Sequence, residues 1–194
     1  HQKARRLGVE ERVLRLPDAI TLIEGLFARL PQPPPSVERL KAHQLDLTDP
    51  IWEGLRQDYP GFDRWLTGVR RDQRDALVVG SDPARRAALC LLKHEPNGEY
   101  GVPGPLLKIS TFKVSPDHSG NKYGELLLKA VFDQCASEGH LGVYVTVFPQ
   151  HSELLGVLAD FGFETLPTST PLGELVLRKR LTWGEHEERD LEPL

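Results

Sequence analysis

Residues 114–128 constrain the fold of this 194-residue chain most, because fifteen residues join three kinds of local structure. A strand-like run ends at Val114, and a polar turn containing Gly120 and Gly124 follows. Beyond the turn, apolar residues at helical spacing predict a helix from about residue 121 to 138: Leu127, Leu128, Val131 and Cys135. The first N–H groups of a helix lack internal partners, so such a turn suits an anion. The glycine spacing alone favours an ordinary strand-to-helix turn and fits neither the Walker loop nor the dinucleotide fingerprint.

The pattern after residue 35 predicts alternating strands and helices. We expect strands at 37–45, 76–79, 87–93, 106–114, 143–148, 164–166 and 174–181, with 76–79 and 87–93 forming a hairpin. We expect helices at 49–59, 62–69, 121–138 and 152–161, and a turn at 167–171. The order is therefore β-α-α-β-β-β-α-β-α-β-β, without an internal repeat.

The first 35 residues predict a separate unit. A short strand at about 12–16 precedes a helix with an apolar stripe: Ile20, Ile23, Leu26, Phe27 and Leu30. The proline-rich run at 31–35 predicts a semi-rigid spacer. We interpret 1–35 as a βα extension that ends an upstream domain, 36–181 as the main domain and 182–194 as an acidic tail. These apolar side chains need a surface to pack against, which the main domain, the upstream domain or a second copy of the chain could provide.

Charge and hydropathy exclude several classes of protein. The net charge of −4 lies entirely in the tail, so no broad basic surface indicates nucleic-acid binding. No apolar run approaches the ~18 residues of a membrane span, and the first residues lack a secretory signal. Cys90 and Cys135 lie in apolar stretches and give no disulfide framework or zinc-ligand spacing. We therefore expect a cytoplasmic protein with two core thiols and no metal site.

Two motifs together resemble the GNAT superfamily of acetyl-CoA-dependent N-acyltransferases. Residues 119–124 match its pyrophosphate loop, Arg/Gln-x-x-Gly-x-Gly/Ala, and Phe161-Gly162-Phe163 resembles the Gly-Phe end of its second motif. The resemblance covers about 36–181 and implies an α/β (α+β) fold. Its mixed, mostly antiparallel sheet would have two splayed parallel central strands and flanking helices. Residues 1–30 more faintly resemble the last strand and helix of PIN nuclease domains.

The implied activity is transfer of an acetyl group from acetyl-CoA to a small-molecule or macromolecular amine. The resemblance places the pantetheine arm and pyrophosphate against one set of residues: Phe112, Lys113, Val114, Ser119, Gly120, Asn121, Lys122, Tyr123, Gly124, Glu125 and His151. Two positions depart from the motif. Ser119 replaces the family's Arg or Gln, and Lys122 replaces its first Gly. Lys122 either contacts coenzyme phosphates or is a solvated lysine.

The sequence indicates the general base and general acid less clearly than the coenzyme site. The family's usual Glu base and Tyr acid correspond here to Lys108 and Leu158, which cannot play those parts. The candidates for substitute catalytic residues are Tyr144, His151 and Ser110, with Thr146 also on the second strand. Tyr144 faces either the coenzyme or the core, and His151 either transfers protons or lies at the surface as a helix-capping residue. The missing pair leaves an alternative, a non-catalytic acyl-CoA sensor within a larger protein.

Overall fold

The computed structural model describes residues 16–28 and 35–181, and the chain divides after Pro35 into two units. In the first unit, helix α1 spans Leu16–Ala28. Its residue Ile20 is 46% exposed, and the other members of the predicted stripe lie outside the described side chains. The predicted strand at 12–16 lies outside the described residues except for Leu16, which begins α1. The spacer at 31–34 and the acidic tail also lie outside them.

The second unit follows the predicted order of elements. Its strands are β1 Val37–Lys41, β2 Asp75–Val79, β3 Ala88–Glu95, β4 Leu106–Val114, β5 Gly142–Val147, β6 Glu164–Ser169 and β7 Leu175–Arg180. Its α-helices are α2 Glu53–Asp58, α3 Phe62–Arg71, α4 Tyr123–Ser137 and α5 Ser152–Asp160. Short 3₁₀ turns cover Ala42–Gln44, Pro50–Trp52 and Pro116–His118. The predicted helix at 49–59 is thus a 3₁₀ turn, begun by the Asp49 side chain, that leads into α2.

The strands form one sheet in the order β1-β2-β3-β4-β5-β7-β6 over the described residues. β4 and β5 are parallel, and every other neighbouring pair is antiparallel. This arrangement confirms the fold implied by the resemblance. The predicted hairpin is also confirmed, since β2 pairs antiparallel with β3.

Helices cover both faces of the sheet, and the period of two along the strands divides the core between them. Leu77 and Val79 of β2 pack with α4 and α5 on one face. Ala76 and Val78 of the same strand pack with α2 and α3 on the other. Both cysteines are fully buried, and neither forms a disulfide. In the described ranges, no helix has the length and hydropathy needed to cross a membrane.

The predicted turn at 167–171 is wrong. β6 continues through Pro167 to Ser169, and the reversal occurs at 170–173, where Gly173 donates to the Thr170 carbonyl. β6 is an edge strand, and its pairing with β7 is irregular between Thr165 and Ser169. Proline is compatible with such an edge because its missing N–H costs no ladder hydrogen bond.

Candidate active site

A groove of about 1140 Å³ opens where β4 and β5 separate. The two strands pair from Leu106–Gly142 to Ile109–Val145, and no β4–β5 pair follows within these fully described strands. A bulge accompanies the separation, because Leu91 of β3 opposes Thr111 while Leu92 opposes Ile109. Ser110 is the extra residue. Bulges bend a strand and increase its twist, so this one directs the end of β4 away from β5.

The turn after β4 and the start of α4 form one end of the groove. Lys122 adopts a left-handed conformation (φ 58°), as does Gly120 (φ 82°), immediately before α4 begins. The first helical hydrogen bond runs from the Leu126 amide to the Lys122 carbonyl. The N–H groups of the first turn are therefore directed out of the helix, where the helix dipole favours an anion.

Most of the coenzyme residues predicted from the resemblance line this groove. Ten of the eleven do so: Phe112, Lys113, Val114, Ser119, Gly120, Lys122, Tyr123, Gly124, Glu125 and His151. Asn121 is not part of the lining. Gly124 lies against β4, since a Cβ there would come 3.5 Å from the Phe112 ring. A larger side chain at this position would therefore enter the space between α4 and β4.

Among the predicted catalytic residues, Ser110 lies in the groove wall. Its hydroxyl oxygen is buried and has no hydrogen-bond partner among the described residues. An unpaired buried hydroxyl is costly, and a ligand that accepts a hydrogen bond would satisfy it. His151 also lines the groove, with its Nε2 4.0 Å from an Asp58 carboxylate oxygen.

A carboxylate that the sequence did not indicate lines the groove. Glu174, on the turn before β7, is 8% exposed and accepts hydrogen bonds from Tyr59 (3.1 Å) and Thr170 (3.1 Å). The Tyr59 ring packs against Phe148, just beyond β5, with 5.3 Å between centroids. Burial raises the pKa of Tyr59 well above its usual range, and the charge of Glu174 raises it further. The phenol therefore stays neutral and donates a hydrogen bond to the carboxylate.

The sequence model of the Acetyltransferase (GNAT) family matches residues 39–163 of the chain. The chain belongs to the GNAT family. As an N-acetyltransferase, it transfers an acetyl group from its co-substrate acetyl-CoA to an amine. A comparison with curated protein sequences finds no match.

Solved GNAT structures share the fold of this chain at low sequence identity. The PaiA N-acetyltransferase of Thermoplasma acidophilum, solved with coenzyme A, is 15% identical with a TM-score of 0.55, covering 75% of this chain and 99% of that one. A ribosomal-protein-alanine N-acetyltransferase of Brucella melitensis is 13% identical with a TM-score of 0.55, at the same coverage. A GNAT acetyltransferase of Elizabethkingia anophelis with acetyl-CoA bound is 12% identical with a TM-score of 0.51, again covering 75% and 99%.

The positions of the usual GNAT base and acid are occupied by residues engaged elsewhere. Lys108 forms an ion pair with Glu99 (3.1 Å), and its ammonium lies 5.2 Å from the centre of the Tyr144 ring. Leu158 is 1% exposed in the core beside α4. Neither side chain supplies a carboxylate or phenol to the groove.

Tyr144 lies in the core rather than in the groove lining of this GNAT domain. It is fully buried, packs with Val102 and Val176, and donates a 2.6 Å hydrogen bond to Glu99. Burial raises its pKa far above the usual range, and the bond to Glu99 adds to the shift. The structure thus places Tyr144 apart from Ser110 and His151, which both line the groove.

Proposed function

We propose that acetyl-CoA binds in the groove between β4 and β5. The main support for this proposal is the separation of the two strands beyond Ile109 and Val145. It leaves backbone N–H and C=O groups of β4 available to bind the pantetheine amides. The diphosphate lies at the N-terminus of α4, where the first-turn N–H groups face it. Lys122, which lines the groove immediately before α4, adds positive charge near these phosphates.

We propose that the acceptor amine enters beside Tyr59 and Glu174. The Tyr59–Glu174 hydrogen bond joins the turn after α2 to the turn before β7, and both residues line the groove. Asp58, next to Tyr59 in the sequence, adds a second carboxylate to the groove lining. Amines are cationic at neutral pH, so these carboxylates would attract the acceptor.

In this proposal Glu174 is the general base, and the neighbouring Tyr59 hydroxyl orients its carboxylate. The cationic amine loses one proton to Glu174, and its neutral nitrogen then bonds to the thioester carbon. The carbon–sulfur bond breaks, the nitrogen loses its second proton, and the leaving sulfur takes up that proton, so the products are the amide and the thiol of coenzyme A. The free Ser110 hydroxyl donates to the carbonyl oxygen as negative charge develops there. His151 stays a predicted proton donor, supported by its place in the lining. Positioning of both substrates supplies much of the rate.

Calorimetric titration with acetyl-CoA tests the binding site. The Gly124→Leu variant should lose binding, because its side chain fills the space beside Phe112. Gly156→Leu is the matched control, since Gly156 is also helical but a Cβ there meets nothing within 4 Å. Equal binding by both variants would contradict the proposed site.

Release of coenzyme A over a panel of amines, polyamines and peptides tests the chemistry and the acceptor. Binding without release for any acceptor would favour the acyl-CoA sensor.

We further propose a cytoplasmic location, supported by the two buried free thiols. We also propose that an upstream domain or a second copy of the chain covers residues 1–30. Light scattering of the full chain and of the chain lacking residues 1–35 would show whether this segment changes the oligomeric state.

A further inference from the structure

Three metal-binding side chains meet at the end of β3. His94 lies on that strand, and Glu138 and His140 follow the C-terminus of α4. His94 Nδ1 lies 3.0 Å from His140 Nε2 and 3.6 Å from Glu138 Oε2. One ligand atom from each residue lies within 4.8 Å of the other two. None of these three residues lines the groove, and His94 pairs with Leu107 in the half of β4 before the bulge.

Neighbouring groups orient both rings. The second nitrogen of His94, Nε2, lies 3.1 Å from Asp75 Oδ2, and that carboxylate is held by Lys41 and Gln134. A carboxylate at the outer nitrogen leaves the lone pair of Nδ1 directed toward His140. His140 is 6% exposed and is hydrogen-bonded to the Cys135 backbone. This is the outer arrangement found around metal-bound histidines, where the second ring nitrogen contacts a carboxylate or carbonyl.

The spacing of the ligand atoms fits a small divalent ion. At a tetrahedral zinc with bonds of about 2.0–2.1 Å, ligand atoms lie roughly 3.3 Å apart. The two distances from His94 Nδ1, 3.0 and 3.6 Å, lie on either side of that value.

We propose that His94, Glu138 and His140 bind one Zn²⁺ through two imidazole nitrogens and one carboxylate oxygen. Two imidazoles favour zinc over magnesium or calcium, which prefer oxygen ligands. The side chains of His94 and Glu138 are 48% and 35% exposed, so water can complete the coordination. The ion would join the end of α4 to β3 and stabilise that contact without taking part in acetyl transfer.

Cobalt titration of the full chain, freed of metal and carrying no histidine tag, tests the site. We expect one equivalent of Co²⁺ to bind with the visible absorption of a low-coordinate ion, and Zn²⁺ to displace it. His94→Asn and Glu138→Gln should weaken binding at least ~10-fold, and Asp75→Asn by ~10–100-fold. His43→Asn is the matched control, because His43 is exposed and remote from these three residues in the sequence.

Thermal melting with Zn²⁺ gives an independent readout. Zinc should raise the Tm of the wild type and of His43→Asn, but not that of His94→Asn. His94 is half exposed, so its replacement should leave the fold intact, which circular dichroism checks. A wild type that binds no Co²⁺ or Zn²⁺, or binds them with an affinity unchanged by all three variants, would overturn the proposal. The 3.0 Å contact between the two histidine rings would then be an ordinary hydrogen bond.

Discussion

The two ends of the β4–β5 pair differ sharply, although the same strands form both. From Leu106 to Ile109 the strands are paired, and their side chains are buried except for that of the half-buried Lys108. Beyond the bulge at Ser110 they separate and line the groove. One extra residue in β4 thus accompanies the change from closed sheet to binding site.

Each end carries a hydrogen-bonded tyrosine–glutamate pair. At the closed end Tyr144 donates to Glu99 at 2.6 Å, and at the open end Tyr59 donates to Glu174 at 3.1 Å. Tyr144 lies in the core, whereas both members of the open pair line the groove. The same chemical pair therefore serves stability at one end and, in our proposal, catalysis at the other. The following predictions test that division.

Replacing the glutamate of the open pair should have the largest effect. Glu174→Gln should lower kcat by ~10²–10⁴-fold, because the amide cannot accept a proton. Its KM for acetyl-CoA should stay unchanged. Glu99→Gln is the matched change at the closed end and should leave kcat unchanged. Steady-state coenzyme A release measures both, and equal losses in the two variants would contradict the division.

Removing the free Ser110 hydroxyl at the bulge should lower activity but raise stability. Ser110→Ala should lower kcat by up to ~10²-fold if the hydroxyl stabilises the developing oxyanion. It should also raise the free energy of unfolding by about 1 kcal/mol, because a buried unpaired polar atom is removed. Ser137→Ala is the control, since that hydroxyl is already bonded to the Gln134 carbonyl. Urea denaturation and kinetics on the same samples check both effects, and a Ser110→Ala variant with normal kcat would remove the oxyanion role.

Removing the two phenol hydroxyls should produce opposite outcomes. Tyr59→Phe should lower kcat roughly tenfold, as expected for a lost hydrogen bond to a charged group. Tyr144→Phe should leave kcat unchanged but lower the free energy of unfolding by about 1–3 kcal/mol. Parallel kinetics and urea denaturation make the comparison. A catalytic loss in Tyr144→Phe at wild-type stability would instead restore Tyr144 as a catalytic candidate.

The smallest expected effect is on acid stability. The hydrogen bond from Tyr144 holds the pKa of Glu99 below its usual range, against the opposing effect of partial burial. An unfolded chain therefore binds the proton more readily, so this stabilisation is present above about pH 4.3 and is lost as pH falls through the folded pKa. Between about pH 5 and about pH 3, the free energy of unfolding of the wild type should fall more steeply than that of Tyr144→Phe. Urea denaturation at several pH values measures the slopes, and parallel slopes would contradict the assignment.

Local patterns predicted much of the architecture. Apolar residues at helical spacing located α4, and β-branched and aromatic residues located β5, because such patterns reflect which side of an element is buried. Ten of the eleven residues that the resemblance assigned to the coenzyme line the groove, and their role in binding stays a prediction. Pro167 was misassigned, since a proline in sequence does not reveal that its strand lies at a sheet edge.

The sequence by itself determined the order of elements, the polar turn before α4 and the family resemblance, because each rests on residues close together in the chain. Only the tertiary structure decided which distant side chains meet. Tyr59 and Glu174 are 115 residues apart, and His94 and His140 are 46 apart. Their pairing follows from strand register, from the bulge at Ser110 and from the packing of turns at the sheet ends. These are collective properties of the folded chain, and local residue preferences do not encode them.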